Sequence, residues 1–298
     1  MREWLEHQAA TCILEAQEGE NGVRRFSLPP GRAEALVDRD SLNFIAPLAQ
    51  LVVGSVHPLD AVLQAYRTGG GVPFSAYGPN LREGQANMNR PAFLRELGET
   101  WLPSIPDVHA RLNTTPAALI ADIGCGGGWS CIGMARAYPK ALVHGFDLDQ
   151  ASVVLAQRNI EAEGLSDRVQ VFQEDASNLD LRGRYDLVTA FECLHDMSDP
   201  VGALRTMHGL VSEKGAVLIM DERSQDVFQP CAEAYEQLLY GFSILHCLPA
   251  GMADQPSAGT GTVMRPQTVE RYAREADFSR VEILPIDHFF FRFYRLWV

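Results

Sequence analysis

The stretch Asp122-Ile123-Gly124-Cys125-Gly126-Gly127-Gly128 decides how this chain is read. It closes the apolar run AALIADIG (117–124) and opens a helical pattern at Trp129. Glycines at 124, 126 and 128 let the backbone turn sharply and approach a ligand without Cβ collisions. The next helix aims free N–H groups and a positive dipole end at the same place. A dinucleotide fingerprint needs G-x-G-x-x-G, but its last position falls on Trp129 counted from Gly124 and on Cys131 counted from Gly126. The nicotinamide pattern therefore fails, and a dehydrogenase is disfavoured. An acid two residues before the first glycine is a feature beyond that fingerprint.

Downstream, strand and helix patterns alternate. The apolar runs ALVHGFDLD (141–149), RVQVFQED (168–175), YDLVTAFECL (185–194) and GAVLIMDE (215–222) are separated by helical segments with legible ends. One helix stops at Gly164, a natural C-terminal cap, and another starts at Asp199-Pro200, an N-cap followed by proline at the first helical position. Such alternation predicts a parallel sheet. The expected fold is α/β: a Rossmann-like, seven-stranded, mostly parallel sheet with helices on both faces. Two final strands, at about 280–286 and 289–297, supply its antiparallel edge.

Upstream, residues 1–113 read as mostly helical. A first helix carries Trp4, Leu5, Ala9, Cys12 and Ile13, and the extended pieces ILEAQ (13–17) and RRFSLP (24–29) flank a turn at GENG (19–22). Helix, strand, turn and strand resemble the second half of a winged-helix domain. Further helices are expected at about 41–54, 57–67, 80–98 and 106–112, with a Gly/Pro-rich loop GGGVPFSAYGPN (69–80) between the second and third.

Composition narrows the function. The 298 residues are 46% hydrophobic and 21% charged, ordinary for a globular chain. With 25 Lys and Arg against 38 Asp and Glu, the net charge is -13, which disfavours nucleic acid as a partner. No apolar run approaches the roughly 18 residues of a membrane span, and MREWLEHQAA lacks the apolar core of a secretory signal, so a cytoplasmic location is expected. The six cysteines have no C-x-x-C pair and read as reduced and mostly buried, and no metal site is expected.

The glycine turn, its preceding acid and three further motifs downstream resemble the class I S-adenosylmethionine-dependent methyltransferases. That family's acid–spacer–G-x-G-x-G motif is met from Asp122 to Gly128. The resemblance implies S-adenosylmethionine as cofactor, with Asp122, Gly124, Cys125, Gly126 and Gly128 around it. It implies Asp147, beside Leu148, on the ribose hydroxyls, where an ionised carboxylate makes strong hydrogen bonds. It also implies Asp175 and the backbone N–H of Ala176 at the adenine, and FECLHD (191–196), starting at Phe191, under the methionine part. The flanks GVPFSAYGPNLREGQANMNRP, YGFSILHCLPAGMADQPSAGTGTVMRP and DHFFFRFYRL are similar to winged-helix small-molecule methyltransferases common in actinobacteria and other bacteria. That likeness implies a dimerising, pocket-covering region at 1–113 and a methyltransferase domain at 114–298 with a capping insert at about 224–266. It further implies a homodimer.

Methyl transfer to oxygen needs two positioned reactants and a base. His195 is the candidate base, at the carboxyl edge of the fourth strand of the sheet, with Glu192 or Asp196 to orient it. Phe74, Tyr77, Arg223, Tyr235, Phe242 and His246 are the candidate lining of an acceptor pocket for an aromatic or apolar metabolite. Within 228–247, Tyr235, Leu238, Leu239, Phe242 and Leu245 share one face of an expected amphipathic helix. The alternative reading is a winged-helix transcriptional regulator with an S-adenosylmethionine-sensing or vestigial domain.

Overall fold

Apolar residues alternate along the strands and sort to two faces of one sheet, as the two-residue period of a strand requires. In β3 (Leu119–Ile123), Ile120 joins one core while Ala121 and Ile123 join the other. In β6 (Tyr185–Phe191), Leu187 and Phe191 face the first core, and Val188 and Ala190 the second. The computed structural model describes residues 1–19, 22–175 and 184–298.

The chain begins with α1 (Arg2–Ala10) and the hairpin β1 (Glu15–Glu18) and β2 (Arg24–Ser27), paired antiparallel from Glu15↔Ser27 to Glu18↔Arg24. Four helices come next: α2 (Pro30–Leu36), α3 (Pro47–Val56), α4 (Leu59–Thr68) and the 19-residue α5 (Gly78–Glu96). The stretch expected as a loop at 69–80 is partly helical. Phe74–Tyr77 forms a 3-10 turn and α5 already begins at Gly78, so prolines 73 and 79 start helical turns rather than interrupt them.

After α6 (Pro106–Asn113) the alternating part runs β3, α7 (Trp129–Ala137), β4 (Leu142–Asp147), α8 (Gln150–Ala162), β5 (Val169–Gln173), β6, α9 (Pro200–Leu210) and β7 (Val211–Glu222). Then come α10 (Ala234–Phe242), a π-helical turn at Ser243–Cys247, α11 (Leu248–Gly251), α12 (Pro266–Glu275), β8 (Arg280–Ile283) and β9 (Phe291–Trp297). The sheet order is β5-β4-β3-β6-β7-β9-β8, with parallel pairs up to β7 and antiparallel pairing of β9 to both neighbours. The fold is the expected one. The amphipathic helix expected from about 228 starts only at Ala234.

The helices before residue 113 split between two cores: Leu51, Val62, Val72, Tyr77 and Leu81 form a small cluster of their own, and those from Phe93 onward join the sheet. Phe93, Leu97, Trp101, Ile105, Val108 and Leu112 share one buried cluster with Ile120, Ile132 and Leu218. α9 and α12 cover the opposite face through Leu204, Met207, Val269 and Tyr272. Chain order reverses between β3 and β6, and ligands of open α/β sheets bind beyond the carboxyl ends of strands at such a point. Among the described residues, no helix is long and apolar enough to cross a membrane.

Candidate active site

The glycine turn leaves the carboxyl end of β3 and is held in place from beneath. Asp122, 1% exposed, accepts hydrogen bonds from Thr189 Oγ1 (2.6 Å) and Ser130 Oγ (2.5 Å), with Cys131 Sγ at 3.2 Å. Burial raises its pKa. Its oxygens are thus committed to tying β3, β6 and α7 together. Gly124 and Gly126 take positive φ of 67° and 51°, which glycine adopts without strain. At Gly124 a Cβ would stand 2.7 Å from Cys193 Sγ, whereas at Gly126 it would meet nothing within 4 Å. Bare backbone at Gly126 therefore borders open space.

That space is a cavity walled by Gly124, Cys125, Gly126 and Gly127, by Trp129 and Ser130 of α7, by Ser152 of α8, and by Phe191 and Glu192. Its remaining wall comes from the 3-10 turn and α5: Phe74, Arg82, Gln85, Ala86, Asn89 and Phe93. On α5, positions 82, 85, 86, 89 and 93 recur at helical spacing, so one face of this helix lies along the cavity. Arg82 Nε donates to Asp149 Oδ2 at 2.6 Å, Asn89 donates to Glu192, and the Arg82 guanidinium lies 5.8 Å from the Phe74 ring centroid. The sequence reading missed Arg82, Gln85 and Asn89. Their signal was the repeat on α5, which is visible only once α5 is known to cross the glycine turn.

Asp147 ends β4 and accepts N–H bonds from Gly126 (2.8 Å) and Asp149 (2.9 Å). Burial, against these bonds, raises its pKa to about 6. Leu148 beside it is 62% exposed, and Asp175 lies half-buried just beyond β5. Ala176 lies outside the described residues.

His195 sits in a short 3-10 turn after β6, 3% exposed. The orienting acids expected there are replaced by others. His195 Nδ1 lies 2.7 Å from Asp221 Oδ1 and 3.2 Å from Glu222 Oε2, both at the end of the neighbouring strand β7. The cause is parallel pairing of β6 with β7, which sets Phe191 opposite Met220 and brings the ends of both strands level. Glu192 instead bonds to Asn89, in a left-handed backbone conformation (φ 52°) that a side-chain-bearing residue adopts at a cost. Asp196 is half-buried, and loss of solvation raises its pKa to about 6.

Burial alone would lower the pKa of His195, but the Asp221 and Glu222 carboxylates outweigh it and raise the pKa well above the ordinary value. Burial and the neighbouring Glu222 raise that of Glu192. His195, Asp221 and Glu222 hold ligand atoms within 4.8 Å of one another, a set that a divalent ion could share. The 2.7 Å contact is itself that of a charge-assisted hydrogen bond.

The expected acceptor lining is only partly assembled. His246 is buried, its ring 4.7 Å from that of Tyr77 and 5.6 Å from that of Phe74, and burial lowers its pKa to about 3. Tyr77 is 1% exposed and its hydroxyl donates to Leu245 O, and Phe242 packs on the same cluster. Arg223 points away to Asp287 and His288 O, and the Tyr235 hydroxyl donates to Phe290 O. The segment 224–266 is closed at its base by Glu236, 2% exposed, which accepts from Gln225 N and pairs with Arg265 at 2.9 Å.

Residues 120–215 match the family model described as a methyltransferase domain. A ubiquinone biosynthesis O-methyltransferase of Pseudomonas aeruginosa (strain LESB58) is 28% identical over 171 residues, 57% of this chain and 68% of the relative. A protein of the same description from Alkalilimnicola ehrlichii is 31% identical over 160 residues, covering 53% of this chain and 59% of its own. Among solved structures, a mitomycin 7-O-methyltransferase superposes with TM-score 0.68 at 18% identity, covering 99% of this chain and 82% of its own. Human N-acetylserotonin methyltransferase in complex with its methyl donor does so with TM-score 0.69 at 16% identity and the same coverage.

Proposed function

We propose, from the premise that the chain is a class I S-adenosylmethionine-dependent methyltransferase, that His195 serves as the base for methylation of a hydroxyl on a small aromatic or apolar metabolite. The observation that carries this reading is the buried His195–Asp221 hydrogen bond at the carboxyl edge of the sheet, in the segment that follows Phe191 and Glu192 of the cavity wall. O-methylation is also the activity named for the matched relatives.

The cavity suits the cofactor on its own chemistry. It offers bare backbone at Gly126, whose N–H donates to the neighbouring Asp147, and an apolar wall of Phe191, Phe74 and Phe93. Glu192 lines it under the pull of burial and of the neighbouring Glu222, and a cation beside it would favour its charged form. In this reading Gly124, Cys125, Gly126 and Gly128 cradle the cofactor and Asp122 braces the cradle. Asp147 takes the ribose hydroxyls with Leu148 beside them, and Asp175 and Ala176 serve the adenine. When bound, S-adenosylmethionine supplies a methyl group on a cationic sulfur, open to in-line attack.

The protein's own part is to position, to exclude water and to move one proton. Asp221 and Glu222 hold Nδ1–H of His195, so the other ring nitrogen takes the acceptor's hydroxyl proton. The carboxylates stabilise the imidazolium that results. Phe74, Tyr235, Phe242 and the neutral His246 shape the acceptor side under the 224–266 cap. Residues 1–113 cover the pocket, carry what remains of a winged helix and join two copies into a homodimer working in the cytoplasm. The regulator alternative has no support from the matched family or relatives, and an acidic chain works against phosphate contacts.

The test is a screen of phenolic and other hydroxyl acceptors for S-adenosylhomocysteine release, by wild type and His195→Gln. A methylated oxygen, with kcat lowered about 10²- to 10⁴-fold in the variant and cofactor affinity unchanged, is the expected result. Equal turnover by both proteins would remove His195 from the proton path.

A further inference from the structure

His195, Asp221 and Glu222 meet at the carboxyl ends of β6 and β7 in a geometry that suits more than a hydrogen-bonded pair. His195 Nδ1 stands 2.7 Å from Asp221 Oδ1 and 3.2 Å from Glu222 Oε2, and ligand atoms of all three lie within 4.8 Å of one another. A zinc-class ion holds nitrogen and carboxylate oxygen at about 2.0–2.2 Å, which sets tetrahedral ligand atoms roughly 3.3–3.5 Å apart. The two separations from Nδ1 are close to that spacing. None of the cysteines, whose spacing speaks against a metal, takes part.

The two acids also have lone pairs to offer. Asp221 is 1% exposed, and its Oδ2 is buried without a hydrogen-bond partner among the described residues, as is Glu222 Oε2. No Arg or Lys among the described residues forms an ion pair with either acid. Arg292, opposite Asp221 in β9, pairs with Asp226, and Arg223 pairs with Asp287. Glu192 adds a third carboxylate, close enough for Glu222 to repel its charge. Around one imidazole this is an excess of acid, and a divalent cation relieves the repulsion.

We infer that His195, Asp221 and Glu222 form a binding site for a divalent ion of the zinc class, and that filling it switches the base off. A ring nitrogen that ligates a metal gives it its lone pair, so with the ion on Nδ1 the single proton of the neutral ring sits on Nε2. Nε2–H donates a hydrogen bond but has no lone pair to take the acceptor's hydroxyl proton. The switch rests on His195 being that base; the site itself does not.

Cobalt(II), followed by its visible absorption, and zinc, followed by NMR of the histidine ring nitrogens, separate the two claims on the full chain. The expected result is a single ion bound per chain at micromolar concentration, weakened at least about tenfold in Glu222→Gln and in His195→Gln. S-adenosylhomocysteine binding, retained by both variants, reports that they are folded. With zinc bound, the ring proton of His195 in the wild type should be found on Nε2. Methyl transfer by the wild type should stop with zinc and return when a chelator is added. Absence of cobalt binding, or equal binding by the wild type and both variants, overturns the site. Undiminished methyl transfer with the ion held at these residues overturns the switch, and His195 as the base with it, while the site stands.

Discussion

His195 shows how a buried ionisable residue takes its properties from the strand next door. A lone imidazole at 3% exposure would lose its charge to burial, yet Asp221 at 2.7 Å and Glu222 at 3.2 Å reverse the sign. The result is a more basic ring than free histidine. A base works when deprotonated, so the rate should climb with pH through a value above the usual 6.5 or so. Asp221→Asn removes the charge that raises it, so the rising limb of the kcat/KM profile should move to lower pH while its plateau falls. A limb that stays where it is in the variant would take Asp221 out of the dyad. His195 itself was legible in the sequence as a histidine at a strand end. Asp221 was not, because its partnership depends on the register between β6 and β7, which lies in pairing rather than in either segment.

At the scale of elements, α5 does two tasks. One face packs on α7 so closely that a Cβ at Gly133 would stand 2.1 Å from the Phe93 carbonyl oxygen, and the other side carries Arg82, Gln85 and Asn89 to the cavity. Gly133→Ala should therefore push the two helices apart. A stability loss of about 1–3 kcal/mol in urea unfolding, together with weaker cofactor binding, is the expected outcome. Full stability in that variant would show that the two helices yield more easily than their contact suggests. The strands and their order were readable from periodicity and end signals, since each strand is an apolar run between glycine or proline marks. The helix expected from 228 shortened to Ala234–Phe242 and passed into a π-helical turn, because Glu236 is drawn into the Gln225–Arg265 latch at the base of the cap. That tertiary demand leaves no local mark.

For the whole molecule, the helices ahead of the sheet leave an apolar surface uncovered. Val52, Val53 and Val56 of α3 and Leu59 and Leu63 of α4 are each between 41% and 54% exposed. Exposed apolar side chains gathered on two successive helices suit an interaction site, and the proposed homodimer gives them a partner. Sedimentation at micromolar concentration should give a dimer for the wild type and a monomer for the pair Val53→Glu and Leu63→Glu. A wild-type monomer would contradict that part of the proposal. The proposed methyl transfer depends on one ligand held between β3, β4 and α5. The most direct test is calorimetric titration with S-adenosylhomocysteine on the wild type and on Asp147→Asn, which keeps side-chain volume and removes the charge that would meet the ribose. Micromolar binding by the wild type, weakened at least about tenfold in the variant, is the predicted result. No binding by the wild type, or equal binding by both, would contradict the account.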